Sequence, residues 1–161
     1  MEDKKLEFGW QFLKYYSLIR WMVAFGVLLA PFFMHQSSDF LNKELYNTLS
    51  ISYLIIATLF LFIALSERYF HISSITQPLT DIIILALLTY AGPNINSGYV
   101  ILMALVCIFA LLLLRHRLAL LYGVGAVFSL YLVYWFKNDA FDGDTYYNLA
   151  LESFAILTVS L

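Results

Sequence analysis

Charge is scarce in this sequence. Of its 161 residues nine are Lys or Arg and eleven are Asp or Glu, a charged share of 12%. Ordinary soluble domains carry about 25%, so a water-facing exterior for the whole chain is excluded. No basic face or tract exists, which argues against a nucleic-acid partner. The single cysteine, Cys107, lies inside an apolar run, so a disulfide framework within the chain is excluded. No Asn-x-Ser/Thr sequon occurs. The N-terminal MEDKKLEFGWQFLKYY lacks the short apolar core and small-residue cleavage site of a removable signal peptide. Also missing are a P-loop, a Gly-rich dinucleotide turn, an HExxH pair and a nucleophile elbow. No catalytic residue is legible here.

Apolar side chains are what the sequence has instead, at 62%, with 18% aromatic and a mean hydropathy of +0.80. Crossing a bilayer as a helix takes about 20 apolar residues. Runs that meet or approach this length lie near residues 16–34, 47–65, 74–91, 98–114 and 118–136. A sixth opens near Tyr146 and reaches Leu161 too soon for a comfortable span, as a truncated last helix would. The predicted fold is all-α, a polytopic membrane bundle of six transmembrane helices, with lipid as the principal partner. Lys4, Lys5, Lys14, Arg68, Arg115 and Arg117 fall on one side of such a chain, against Lys43 and Lys137 on the other. The positive-inside rule then puts the N-terminus in the cytoplasm. Trp10, Tyr15, Tyr16 and Trp21 are expected at the inner edge of the first helix, and Tyr134, Trp135 and Phe136 at the outer end of the fifth.

Three ionisable residues stand inside these runs, where charge is costly and usually functional: Arg20, Asp81 and Glu152. The apolar boundaries place Arg20 and Asp81 at similar depth toward the cytoplasmic side. A buried ion pair, a ligand or signalling role, and snorkelling to the interface are all open readings. Glu152 is expected near the outer leaflet, out of reach of the other two. The histidines His35, His71 and His116 fall in loops, so neither haem nor a metal site is expected. DAFDGDTYY lacks the acidic spacing of a calcium loop. Small residues four apart (Gly26 and Ala30, Ala119 and Gly123, Gly125 and Ser129) allow close helix approach, first of all within one bundle.

The turn between the third and fourth runs, YAGPNINSGYV, is dense in turn formers and free of charge. Gly92 is expected to stop its helix with a positive φ, and Pro93 cannot continue it. Asn94, Asn96 and Ser97 can satisfy loose backbone groups, and Gly98 precedes the next helix. Asp81-IIILALLTY-Ala91-Gly92-PNIN-Ser97-Gly98, followed by RHRLALL and preceded far upstream by YYSLIR with Arg20, resembles the six-helix membrane sensor domain of PilS-type histidine kinases. Pro93 and Tyr99 depart from that pattern, replacing a glycine and a leucine. Redox-sensing RegB-type kinases are similar in an Arg-Trp like Arg20-Trp21, but their quinone-associated loop differs from Asn96-Ser97-Gly98. A small transporter or a structural membrane subunit is the alternative outside the kinases.

The PilS resemblance implies that residues 1–161 form a transmembrane input domain in the bacterial inner membrane. PAS-like and kinase domains are then expected beyond residue 161, with ATP and magnesium as cofactors there and none here. It further implies a homodimer, a cytoplasmic response regulator, control of type IV pilus transcription, and a pilin transmembrane helix as the signal. That helix is expected to dock laterally, its acidic residue at the depth of Arg20.

Overall fold

All regular structure among the described residues is helical. The computed structural model describes residues 2–33, 43–67, 69–92, 98–114, 116–137 and 143–160. Its helices are α1 (Glu2–Phe33), α2 (Lys43–Leu65), α3 (Phe70–Ala91), α4 (Tyr99–Leu113), α5 (His116–Lys137) and α6 (Gly143–Ser160).

The arrangement is inverted relative to a soluble bundle, and the sequence periodicity shows why. On α2, Ile51, Ile55, Leu59 and Phe62 point outward, three or four residues apart, as one face of a 3.6-residue helix requires. Ile72, Ile75, Leu79, Ile83 and Leu87 form such a stripe on α3, and Leu121, Val124, Phe128 and Trp135 on α5. Arg20, Asp81, Gln77, Ser17, Ser50 and Ser73 are buried. Aliphatic side chains outside and polar groups inside suit hydrocarbon as the solvent. Among the described residues, four segments are long and apolar enough to cross a membrane: Gly9–Pro31, Lys43–Leu65, Phe70–Ala91 and Arg117–Phe136. The 15 residues of α4 rise about 22 Å, short of the hydrocarbon thickness, and the apolar part of α6 is shorter still.

Helices α3 and α4 are the centre of the bundle, α3 packing on α2, α4 and α5, and α4 also meeting α1, α5 and α6. Alanine fills many of the contacts: Ala24, Ala57, Ala86, Ala110, Ala119 and Ala126 are all buried. Without a hydrophobic drive between helices in lipid, such small residues let backbones approach and gain dispersion energy. Ala119 lies on this inward face, but Gly26 and Gly125 do not, since a Cβ on either would meet nothing within 4 Å. Gly9 is used differently. A Cβ there would come within 2.8 Å of the Phe70 ring, which instead packs edge-on against Trp10.

Prolines interrupt two of the helices, and tyrosines from neighbouring helices bond carbonyls at both breaks. Pro31 in α1 has no N–H, so the Val27 carbonyl four residues earlier loses its helical partner. The Tyr46 hydroxyl of α2 donates to that carbonyl at 3.1 Å. Its one proton being so placed, the Tyr99 hydroxyl donates to Tyr46 across 2.6 Å. In α3, Pro78 lies just after Ile75, whose carbonyl accepts from Tyr122 of α5 at 2.8 Å.

Several boundaries differ from those read in the sequence. Helix α1 begins at Glu2 rather than near residue 16, because Trp10, Leu13 and Tyr16 form a buried cluster with Ala64. Trp10 and Tyr16 therefore face the bundle, and Tyr15 alone of that group is strongly exposed. Gly92 is also a correction: its φ is −73° and ψ 169°, extended rather than left-handed. Its glycine requirement is steric, since a Cβ would sit 3.0 Å from the Leu88 carbonyl oxygen, the group its N–H bonds at 2.8 Å. The positive φ values fall in the α2–α3 connection, at Glu67 and Tyr69. Asn94, Asn96 and Ser97 lie outside the described residues.

Candidate functional site: a polar ladder inside the bundle

Helices α1 and α3 run in the same direction, with α2 returning the chain between them. Their inward faces carry polar residues in matching register. On α1 these are Tyr16, Ser17 and Arg20. On α3 they are Ser73, Gln77 and Asp81, four residues apart and therefore on one face. One rung of the ladder joins Ser17, whose hydroxyl donates to Gln77 Oε1 at 3.1 Å. Gln77 Nε2 donates in turn to Ser73 Oγ at 2.7 Å. The next rung, one turn along, joins Arg20 Nε to Asp81 Oδ1 at 2.6 Å. Tyr16 donates its hydroxyl to the other carboxylate oxygen, Oδ2, at 2.5 Å.

The pair is deeply enclosed, with both side chains 1% exposed. Its Nε to Oδ1 contact is close, yet neither atom is aligned for a directed hydrogen bond. Charge attraction in a low-dielectric interior is the main tie. The Arg20 guanidinium also lies over aromatic faces of α2, 4.8 Å from the Phe60 centroid and 5.6 Å from that of Tyr53. Desolvated cation–π contacts of this kind add to its anchoring. The Tyr53 hydroxyl interacts with both Arg20 and Asp81. Phe109 of α4 closes the site from the fourth side, tilted against Tyr16 at 4.8 Å. Four helices thus meet at one ion pair.

Depth is the second finding. Arg20 stands at the middle of the spanning segment Gly9–Pro31, and Asp81 at the middle of Phe70–Ala91. In the sequence the first and third apolar runs open near residues 16 and 74, which sets both residues closer to the starts of their helices than these spans do. Enclosed by neighbouring helices and paired with each other, the two side chains do not snorkel outward.

Glu152 does not join the ladder. It is half-buried on α6 and accepts a hydrogen bond from Tyr134 at 3.2 Å. Beside it runs a groove of about 470 Å³ between α4 and α6, with Gly98, Ala104 and Ala155 in its wall. Gly98 caps the start of α4, and its carbonyl accepts the N–H of Leu102 at 3.0 Å. Gly92 and Gly98 thus have structural duties. Among the described residues, no three His, Cys, Asp or Glu side chains gather as metal ligands.

The charged pair is visible in the sequence as ionisable residues amid apolar ones. The partners Ser17, Ser73 and Tyr53 were missed, and so was the role of Gln77. For α3 a signal was present, since Ser73, Gln77 and Asp81 repeat at the helical spacing. Tyr53 carries no such mark within YLIIATLFLF.

A family model described as a PilS-like transmembrane domain matches residues 2–161. No curated protein and no solved structure matches the chain.

Proposed function

The chain belongs to the PilS-like transmembrane domain family, and from that premise we propose that it is the signal-input domain of a sensor histidine kinase. It reads a signal inside the membrane and, through a response regulator, sets transcription of type IV pilus genes. The observation that carries this reading is the polar ladder, in which one ion pair ties α1 to α3 under aromatic residues of α2 and α4. A bundle with one ionic seam has discrete states, seam closed or seam exchanged, and a ligand that favours one shifts the population.

The ligand class that fits is a transmembrane helix bearing a carboxylate, as a pilin helix would. Its carboxylate competes with Asp81 for Arg20, so it must reach the bilayer centre rather than the inner leaflet. In the same reading the N-terminus is cytoplasmic and the membrane is the bacterial inner membrane. The chain works as a homodimer, and PAS-like and ATP-dependent kinase domains follow residue 161.

A pilus-promoter reporter in cells carrying the full-length protein tests this. Arg20→Ala, compared with the wild type at matched amounts of membrane protein, is expected to abolish pilin-dependent repression. Unchanged repression would sink the docking. Full-length protein that takes no phosphate from ATP onto histidine would remove the kinase reading itself.

A further inference from the structure

Of the three ionisable residues inside the apolar runs, Glu152 is the one the polar ladder leaves out. It stands three residues into the apolar part of α6, Leu149–Thr158. Its hydrogen-bond partner Tyr134 is two residues from the end of the α5 span Arg117–Phe136. Both positions lie within a turn of the apolar edge, the level at which aromatic belts meet lipid headgroups. The salt bridges among the described residues are Lys14–Glu67 and Arg20–Asp81, so Glu152 has no counter-charge there. A carboxylate at the edge of hydrocarbon calls for a partner, and of its roughly four lone-pair sites Tyr134 takes one.

The groove of about 470 Å³ beside Glu152 is of the size that holds one small ligand, about 300–1,000 Å³. Helices α4 and α6 run the same way, so the groove deepens from Gly98 toward Ala104 and from Glu152 toward Ala155. Its mouth is open at Gly98, where a Cβ would meet nothing within 4 Å. A carboxylate at the mouth and apolar walls below it match the order of polarity in a membrane lipid. The stretch from Gly98 to Ala104 rises about 9 Å, under two turns, a short seam for a partner helix. Ile101 and Leu151, 72% and 51% exposed, also project from its walls and hold a helix off. We propose that this groove binds one phospholipid with a primary ammonium headgroup, of the phosphatidylethanolamine class. The ammonium donates to Glu152, and an acyl chain lies between Ala104 and Ala155. A primary ammonium has three donors, and their bonds to a carboxylate are charge-assisted. The quaternary ammonium of phosphatidylcholine has none, and phosphatidylglycerol carries no cation. Bound there, the lipid bridges α4 and the apolar part of α6, both shorter than a full span. The site lies apart from the Arg20–Asp81 pair and does not depend on the signal the ladder reads.

Native mass spectrometry of the full-length protein tests it, with phosphatidylethanolamine, phosphatidylcholine and phosphatidylglycerol of identical acyl chains added in equal amounts. The species carrying one lipid is expected to hold phosphatidylethanolamine several-fold more often than either of the others. Equal retention of the three would overturn the site. Glu152→Gln keeps the shape of the side chain and removes its charge, and is expected to bring phosphatidylethanolamine down to the level of phosphatidylcholine. A preference unchanged by that substitution would place the lipid elsewhere and also overturn the proposal. Ala155→Leu narrows the apolar part of the groove and is expected to lower phosphatidylethanolamine retention several-fold. Loss of a dimer on Ala155→Leu, with lipid retention unchanged, would make the groove a seam between two copies instead. The wild-type comparison needs no variant and stands if a substituted chain folds poorly.

Discussion

At the residue scale, the central fact is that Asp81 divides its two oxygens between partners from one helix. Oδ1 faces Arg20 and Oδ2 takes the Tyr16 hydroxyl. A hydrogen bond to a charged group contributes about 1.5–3 kcal/mol, and Tyr16→Phe is expected to lower unfolding stability by about that amount. Ser17→Ala should cost less, about 0.5–1.5 kcal/mol, since its bond to Gln77 is between neutral groups. Thermal or denaturant unfolding in a mild detergent ranks the two. The reverse order would mean that the ion pair is not where Asp81 is anchored. Arg20 and Asp81 could be found from sequence because lipid makes every ionisable residue conspicuous. Their neutral partners could not, because a serine or tyrosine in an apolar helix has many innocuous roles.

Elements were legible in number and order but not in their starts. The six apolar runs correspond to six helices, since hydropathy reports directly on what lipid tolerates. The onset of α1 was hidden because its first turns mix charge with apolar residues, and only packing of Trp10 and Leu13 reveals them as helical. With those turns included, Arg20 stands at the middle of its apolar segment rather than near its start. Gly92 was hidden in another way. Its steric need depends on the distance to the Leu88 carbonyl, which no local pattern encodes. The prolines give a prediction at this scale. Tyr46→Phe orphans the Val27 carbonyl at the Pro31 break, and an unsatisfied buried acceptor costs about 1–3 kcal/mol. Tyr99→Phe leaves that carbonyl bonded and should cost less. Equal losses would show that the hydroxyl pair, not the carbonyl, matters.

For the whole molecule, alanines such as Ala57 fill helix contacts beside a buried set that includes Leu85, Leu88 and Leu130, while stripes of other large aliphatics face lipid. Ala57 is fully buried, while Leu59, two residues along the same helix, is 58% exposed. Ala57→Leu overpacks the contact and is expected to cost about 1–3 kcal/mol. Leu59→Ala should change stability by less than about 0.5 kcal/mol, as for substitutions away from packed contacts. Similar effects for both would mean that the bundle is turned differently in the membrane.

The most direct test of the account is a double-mutant cycle on Arg20 and Asp81, read as unfolding free energy in lipid nanodiscs. Arg20→Met or Asp81→Leu alone leaves one charge buried without its partner, at a cost of about 3–5 kcal/mol. The double variant replaces the pair with apolar volume and is expected to be far more stable than the sum of the single losses allows. Losses that simply add would place the two charges apart, and the polar ladder would no longer explain how these helices are joined.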